Sequence, residues 1–154
     1  MKIRVEIDPR NDSEEEVVIR CNTLSEEVMM LQKQLSEIVS SKLKLEVYKG
    51  DTVLYLSPDE ILFLETTDTF LAVHTAKEIY SAKERLYTLE EMLPSSFIRI
   101  SKSSIVNIAN IRSVKRNITG PSEIEFAGTV KKAYASRNYL KQLMNRLEEK
   151  RLNK

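Results

Sequence analysis

A chain of 154 residues with 42% hydrophobic and 31% charged residues can bury one ordinary core, or a core of about 100 residues with a small appendage. Its single cysteine and single histidine exclude an internal disulfide and the usual multi-Cys/His zinc site, and its apolar runs are too short to span a bilayer. The net charge of +1 hides an uneven distribution, because residues 1–45, 46–95 and 96–154 carry −2, −6 and +9, so a partner that prefers basic surface would meet the last third.

Met1 to Asp8 alternates Ile3, Val5 and Ile7 with Lys2, Arg4 and Glu6, which predicts a strand ended by Pro9-Arg10-Asn11-Asp12. The absence of an apolar leader in this stretch makes a cytoplasmic location the expectation. EVVIRC (16–21) reads as a second strand, and Thr23-Leu24-Ser25-Glu26 matches a capping box that opens a helix. Leu24, Val28, Leu31, Leu35 and Ile38 then form one apolar stripe at 4-3-4-3 spacing. A stripe of two heptads suits a helix lying on its own domain, or a dimerisation arm. Ser40-Ser41-Lys42 is the natural junction, dividing a strand-strand-helix segment, 1–43, from a unit spanning 44–154.

Beyond the junction the texture is β. Residues 45–56 predict a hairpin turning at Gly50-Asp51, Ser57-Pro58-Asp59 a turn, and 60–65 and 69–75 two strands joined by Thr66-Thr67-Asp68. A further strand is expected within 77–86, and a second capping box, Thr88-Leu89-Glu90-Glu91, opens a short helix that Pro94 stops. FIRISKSSIVN (97–107), NIRSVKR (110–116), SEIEFA (122–127) and TVKKAYA (129–135) follow as strands, and Ser136 caps a last helix with Leu140, Leu143, Met144 and Leu147 on one face. Many short strands with little helix predict a mainly β, α+β fold.

Catalytic constellations are weak. Cys21 and His74 lie far apart in sequence, each in an apolar strand pattern where a packed core residue is expected, and Gly50, Gly120 and Gly128 fall at turns instead of forming a phosphate loop. The carboxylates at 59–60 and 90–91 sit in turns or first helical turns. No enzyme, cofactor or metal is expected. The basic residues, by contrast, fall at strand ends and turns: Arg99 and Lys102, then Arg112, Lys115 and Arg116, then Lys131 and Lys132, then Arg137 beside Asn138. Lys and Arg meet phosphates, Arg or Lys reads guanine and Asn reads adenine. The alternative use of such a third is a solvated basic rim, or a surface that docks an acidic protein partner.

The order ILFLETTDTFLAVHT, a capped short helix, FIRISKSSIVNIANI and a strand running into YASRNYLKQL resembles the LytTR DNA-binding domain of bacterial response regulators over about residues 44–148. The most specific part is Phe97-x-Arg99-x-Ser101-Lys102-Ser103, then Ile105-Val106-Asn107 and Ile111, joined to Ser136-Arg137. The resemblance implies an elongated fold of small antiparallel sheets with short helices. It implies that loops between strands enter successive major grooves of double-stranded DNA at paired promoter repeats, as in a transcriptional regulator. Carried onto this chain, the contacts are Thr67, Asp68 and Thr69 in one loop, Arg99, Ser101, Lys102 and Ser103 at one corner, and Arg137 and Asn138 at the start of the last helix. This chain departs from the pattern at Ser101, where many relatives have His, and in its 66–69 loop, which holds no basic residue or His. Residues 1–43 are too short for a phosphorylated receiver domain. Control through this segment is then expected to come from homodimerisation, or from a membrane-bound inhibitor protein of the kind that holds some receiver-less relatives.

Overall fold

The computed structural model describes residues 1–10 and 16–152, with 40–42 described by backbone alone. Helix α1 (Glu26–Lys42) precedes strands β1 (Leu45–Lys49), β2 (Thr52–Leu56), β3 (Ile61–Thr66), β4 (Leu71–Thr75) and β5 (Ile79–Ala82). Helix α2 (Leu86–Met92) leads to β6 (Phe97–Ser101), β7 (Ser104–Asn107), β8 (Ile111–Lys115), β9 (Ser122–Phe126), β10 (Lys132–Ala135) and α3 (Arg137–Leu152). The strands form a seven-stranded sheet, ordered β2-β1-β5-β4-β3-β7-β6, and a three-stranded sheet, β10-β9-β8. Every pairing is antiparallel.

Local chemistry accounts for the joints. The β1–β2 hairpin closes through a two-residue turn between Lys49 and Thr52, with Gly50 at the positive φ of 59° that a primed turn needs at its first central position. Between β2 and β3, Pro58–Glu60 form one turn of 3-10 helix, and the Glu60 carboxylate accepts from the Ser57 N–H at 2.9 Å.

The larger sheet separates two cores. One joins Leu45, Val47, Val73, Leu89 and Ile105, and α2 contributes Leu86 and Leu89 to it, with Leu93 just past its end. The other joins Ile100, Val106, Ile124, Phe126 and Leu143, so the small sheet and α3 close over the opposite face. Strands β3, β6 and β7 supply both cores. In β3, Ile61 and Leu64 face the first and Leu62 and Phe63 the second, which breaks the period of two; a register shift between Ile61 and Phe63 is the cause.

His74 belongs to this interior, as its strand pattern predicts. It is buried, stacks on Phe63 with ring centroids 4.0 Å apart, and its Nε2 meets Glu65 Oε1 at 2.9 Å. Desolvation outweighs the Glu65 carboxylate and lowers the His74 pKa below its usual 6.5. A depressed histidine pKa favours the neutral ring in the folded state. That contribution is complete above about 6.5 and is lost as pH falls through the folded-state value. The urea midpoint of the natural chain is therefore expected to drop as pH falls below about 6.5, and His74→Gln to flatten that part of the profile.

Four local expectations are corrected. Residues 1–8 and 16–21 belong to no sheet, because alternation suits a strand but a ladder also needs a neighbouring strand. Cys21 is exposed, not a core residue, since its segment has no sheet to pack in. Helix α1 starts at Glu26 with Ser25 as its cap, the Val28 N–H donating to Ser25 Oγ at 3.3 Å, so the box does not begin at Thr23. Helix α2 starts two residues before Thr88, where burying Leu86 and Leu89 sets its position more strongly than a capping side chain does. Among the described residues, no helix is long and apolar enough to cross a membrane.

Candidate nucleic-acid interface

Three chain reversals meet at one end of the sheets. The Thr66 N–H donates to the Ser103 carbonyl at 2.8 Å, tying the β3–β4 turn to the β6–β7 turn. The Ser136 N–H donates to the Ile100 carbonyl at 2.8 Å, tying the start of α3 to the end of β6. Because Ala135 pairs with Ser122 and Lys115 with Glu123, the open end of the small sheet lies beside the same helix start. Gly120 and Pro121 share a shallow cleft there with Ser136, Arg137 and Asn138.

Within this end, some expected contact residues build the turns and others project from them. Thr67 Oγ1 accepts from the Phe70 N–H at 3.1 Å and donates to the Phe70 carbonyl at 2.8 Å, which closes its turn, whereas Asp68 and Thr69 are exposed. Ser101 Oγ accepts from the Ser103 N–H at 3.2 Å and closes the next turn. Arg99 donates to Glu90 of α2 and, at 2.7 Å, to the Lys102 carbonyl. Lys102 is thereby held at the tip of a braced corner, with its own ammonium exposed and free of any partner among the described residues. Arg137 and Asn138 are likewise exposed and free of side-chain partners at the first turn of α3.

Several other cations of the basic third are already engaged by partners within the chain. Arg112 meets Glu125 at 3.2 Å, and Lys132 meets Glu123 at 3.0 Å. The Arg112 and Ser113 hydrogen bonds hold the Glu125 carboxyl below its usual range. Lys131 donates to the Glu78 carbonyl at 2.7 Å, and burial lowers the pKa of its ammonium. Among the described residues, Lys102, Lys115, Arg116, Arg137 and Lys141 keep exposed, unpaired charge.

Residues 51–148 match the LytTr DNA-binding domain family. The chain belongs to the LytTR family. Its relatives include an uncharacterized HTH-type transcriptional regulator of Staphylococcus aureus strain NCTC 8325 / PS 47, 26% identical over 137 residues that cover 89% of this chain and 92% of that one. A similarly described protein of strain MSSA476 is 26% identical over 147 residues, covering 96% and 98%. These matches reach well into the segment ahead of residue 51. The solved LytTr DNA-binding domain from Bacillus cereus superposes with a TM-score of 0.62 at 21% identity, covering 68% of this chain and 95% of that one. The fold is thus the LytTr fold, and the family is a DNA-binding family, not an enzyme class.

In this LytTR chain the structure brings the three expected contact segments to one end, while it engages Arg99, Thr67 and Ser101 in bracing that end. Sequence reading does not single out Lys141. The signal for it is its spacing of four from Arg137, which places both on one helix face. Gly120 and Pro121 are also missed as neighbours of Arg137, because the cleft joins segments separated by a whole strand pair.

Proposed function

We propose that this LytTR chain is a transcriptional regulator that binds duplex DNA sequence-specifically, with residues 44–154 as the DNA-binding unit and 1–43 joining two chains at paired repeats. The observation that carries this reading is the selective survival of free cations. The ladder cations Arg112 and Lys132 are neutralised by glutamates, while Lys102 and Arg137 stay unpaired among the described residues where the reversals meet, as do Lys115 at the end of β8 and Lys141 one turn along α3. Lys102 is a phosphate contact on its braced corner, with Ser103 next to it in sequence and Asp68 and Thr69 exposed in the turn that the Thr66 N–H ties to Ser103. Arg99 is a positioning residue that holds the Lys102 carbonyl. Arg137 and Asn138 enter a major groove from the α3 terminus, whose dipole favours nearby phosphate.

Fluorescence anisotropy with a randomised duplex pool tests this at about 50 and 200 mM salt. Four or five phosphate contacts on a single half-site give a log–log slope of about −4 and a loss of about 10²- to 10³-fold between those salts, and two chains on paired repeats about double that slope. A folded chain that fails to bind at the lower salt would shift the reading to docking on an acidic protein. Lys102→Ala is expected to weaken all sequences about equally and to reduce the slope by about one, while Lys132→Ala leaves the slope unchanged. A sequence-selective loss at Lys102→Ala would make Lys102 a base reader.

A further inference from the structure

The first eight residues carry the alternation of a strand, yet they belong to no ladder. Ile3, Val5 and Ile7 are 85%, 80% and 87% exposed, and the backbone of 1–8 forms no backbone–backbone hydrogen bond among the described residues. Lys2, Arg4, Glu6 and Asp8 occupy the opposite parity, and Arg4 Nε reaches Glu6 Oε1 at 3.3 Å along that side. Two positive charges are followed by two negative ones. That order is self-complementary when the segment meets a copy of itself running the other way.

We infer that residues 2–8 of two chains pair antiparallel about a two-fold axis at Val5, which specifies the partner surface for the two-chain reading above and rests on it. In this register Lys2 faces Asp8, Arg4 faces Glu6, Ile3 faces Ile7 and Val5 faces Val5, so each pair recurs across the axis as an isologous contact requires. Neighbouring registers are poorer. A slip of two residues keeps only two of the four opposite-charge pairs and sets Arg4 against Arg4 one way, Glu6 against Glu6 the other; a slip of one sets charges against apolar residues. A parallel, in-register pair stacks like on like throughout. A two-stranded ribbon is marginal by itself, and the exposed Val17, Val18, Leu24 and Met30 of the same segment offer apolar surface to cover its Ile3-Val5-Ile7 face.

Sedimentation equilibrium of the full chain, without DNA, tests the register by charge reversal. The natural chain is a dimer. Lys2→Glu with Arg4→Glu, and separately Glu6→Lys with Asp8→Lys, each weaken association by at least about 10-fold, because four cross-strand pairs turn from attraction to repulsion. An equal mixture of the two variants restores a dimer, now mixed. In a Cys21→Ser background, Val5→Cys cross-links on oxidation. Ile3→Cys does not, since its two copies are offset by four residues, about 13 Å, beyond disulfide reach. A natural chain that stays monomeric overturns both the pairing and the two-chain reading. A natural dimer that tolerates both reversals, or that cross-links equally through position 3, overturns the pairing and leaves the two-chain reading to the α1 stripe.

Discussion

Arg137→Ala is expected to bind its preferred duplex about 5- to 140-fold more weakly than the natural chain, a loss of about 1–3 kcal/mol, and to become indifferent to one base pair of each half-site. The size follows from a bidentate guanidinium on guanine. The location follows from Arg137 being exposed and partnerless at the first turn of α3, beside a cleft bounded by Gly120 and Pro121. With no partner among the described residues to lose, the substitution leaves the urea midpoint of the protein unchanged. Arg137→Lys keeps the charge without the planar fork, so it retains the salt slope and loses the base preference. Competition against duplexes altered one base pair at a time separates the roles. If Arg137→Ala weakened every duplex alike, Arg137 would be a phosphate contact and Asn138 the remaining candidate reader.

Much of the fold is written in short-range pattern. Most of the strands follow from alternation and turn residues, and the last helix from the stripe of Leu140, Leu143 and Leu147, but 97–107, expected as one strand, is split into β6 and β7 by a turn at Lys102-Ser103. Less legible is what a pattern packs against. Strand β3 is apolar at four successive positions because two cores flank it, and its register shift hides the period of two from which the faces would be read. Residues 1–8 carry the pattern of a strand but not the identity of a neighbour.

The candidate site divides in the same way. Sequence locates the basic third but not which of its charges are already spent, because the glutamates that neutralise Arg112 and Lys132 sit across a ladder. Within 97–107 the polar residues look alike in sequence. In the structure Arg99, Ser101 and Asn107 hold turns together, and Lys102 alone projects an unpaired charge. Arg99 reaches Glu90 on α2 and the Lys102 carbonyl at once, a contact between segments that sequence spacing alone does not join.

Asn107→Ala is expected to destabilise the chain by about 2–4 kcal/mol without altering its intrinsic DNA affinity, the reverse of Lys102→Ala. Asn107 is 2% exposed, and its amide donates to the Ile61 carbonyl at 3.0 Å and the Pro58 carbonyl at 3.3 Å while accepting from the Ala109 N–H at 3.1 Å. Alanine leaves the Pro58 carbonyl and the Ala109 N–H without those bonds. The Ile61 carbonyl keeps a second donor, Asn110 Nδ2 at 3.1 Å. Asn110→Ala alone therefore costs less, and the double substitution costs more than the sum of the two, because only then does Ile61 lose both donors. Urea denaturation of the four chains measures this coupling, and strict additivity would mean that the two asparagines do not share the Ile61 carbonyl in solution. Both side chains tie the 3-10 turn and the start of β3 to β7 and the residues after it, at the opposite end of β3 from the Thr66–Ser103 bond. That separation is why a large loss of stability here leaves the Lys102 corner, and the binding it provides while the chain stays folded, unchanged.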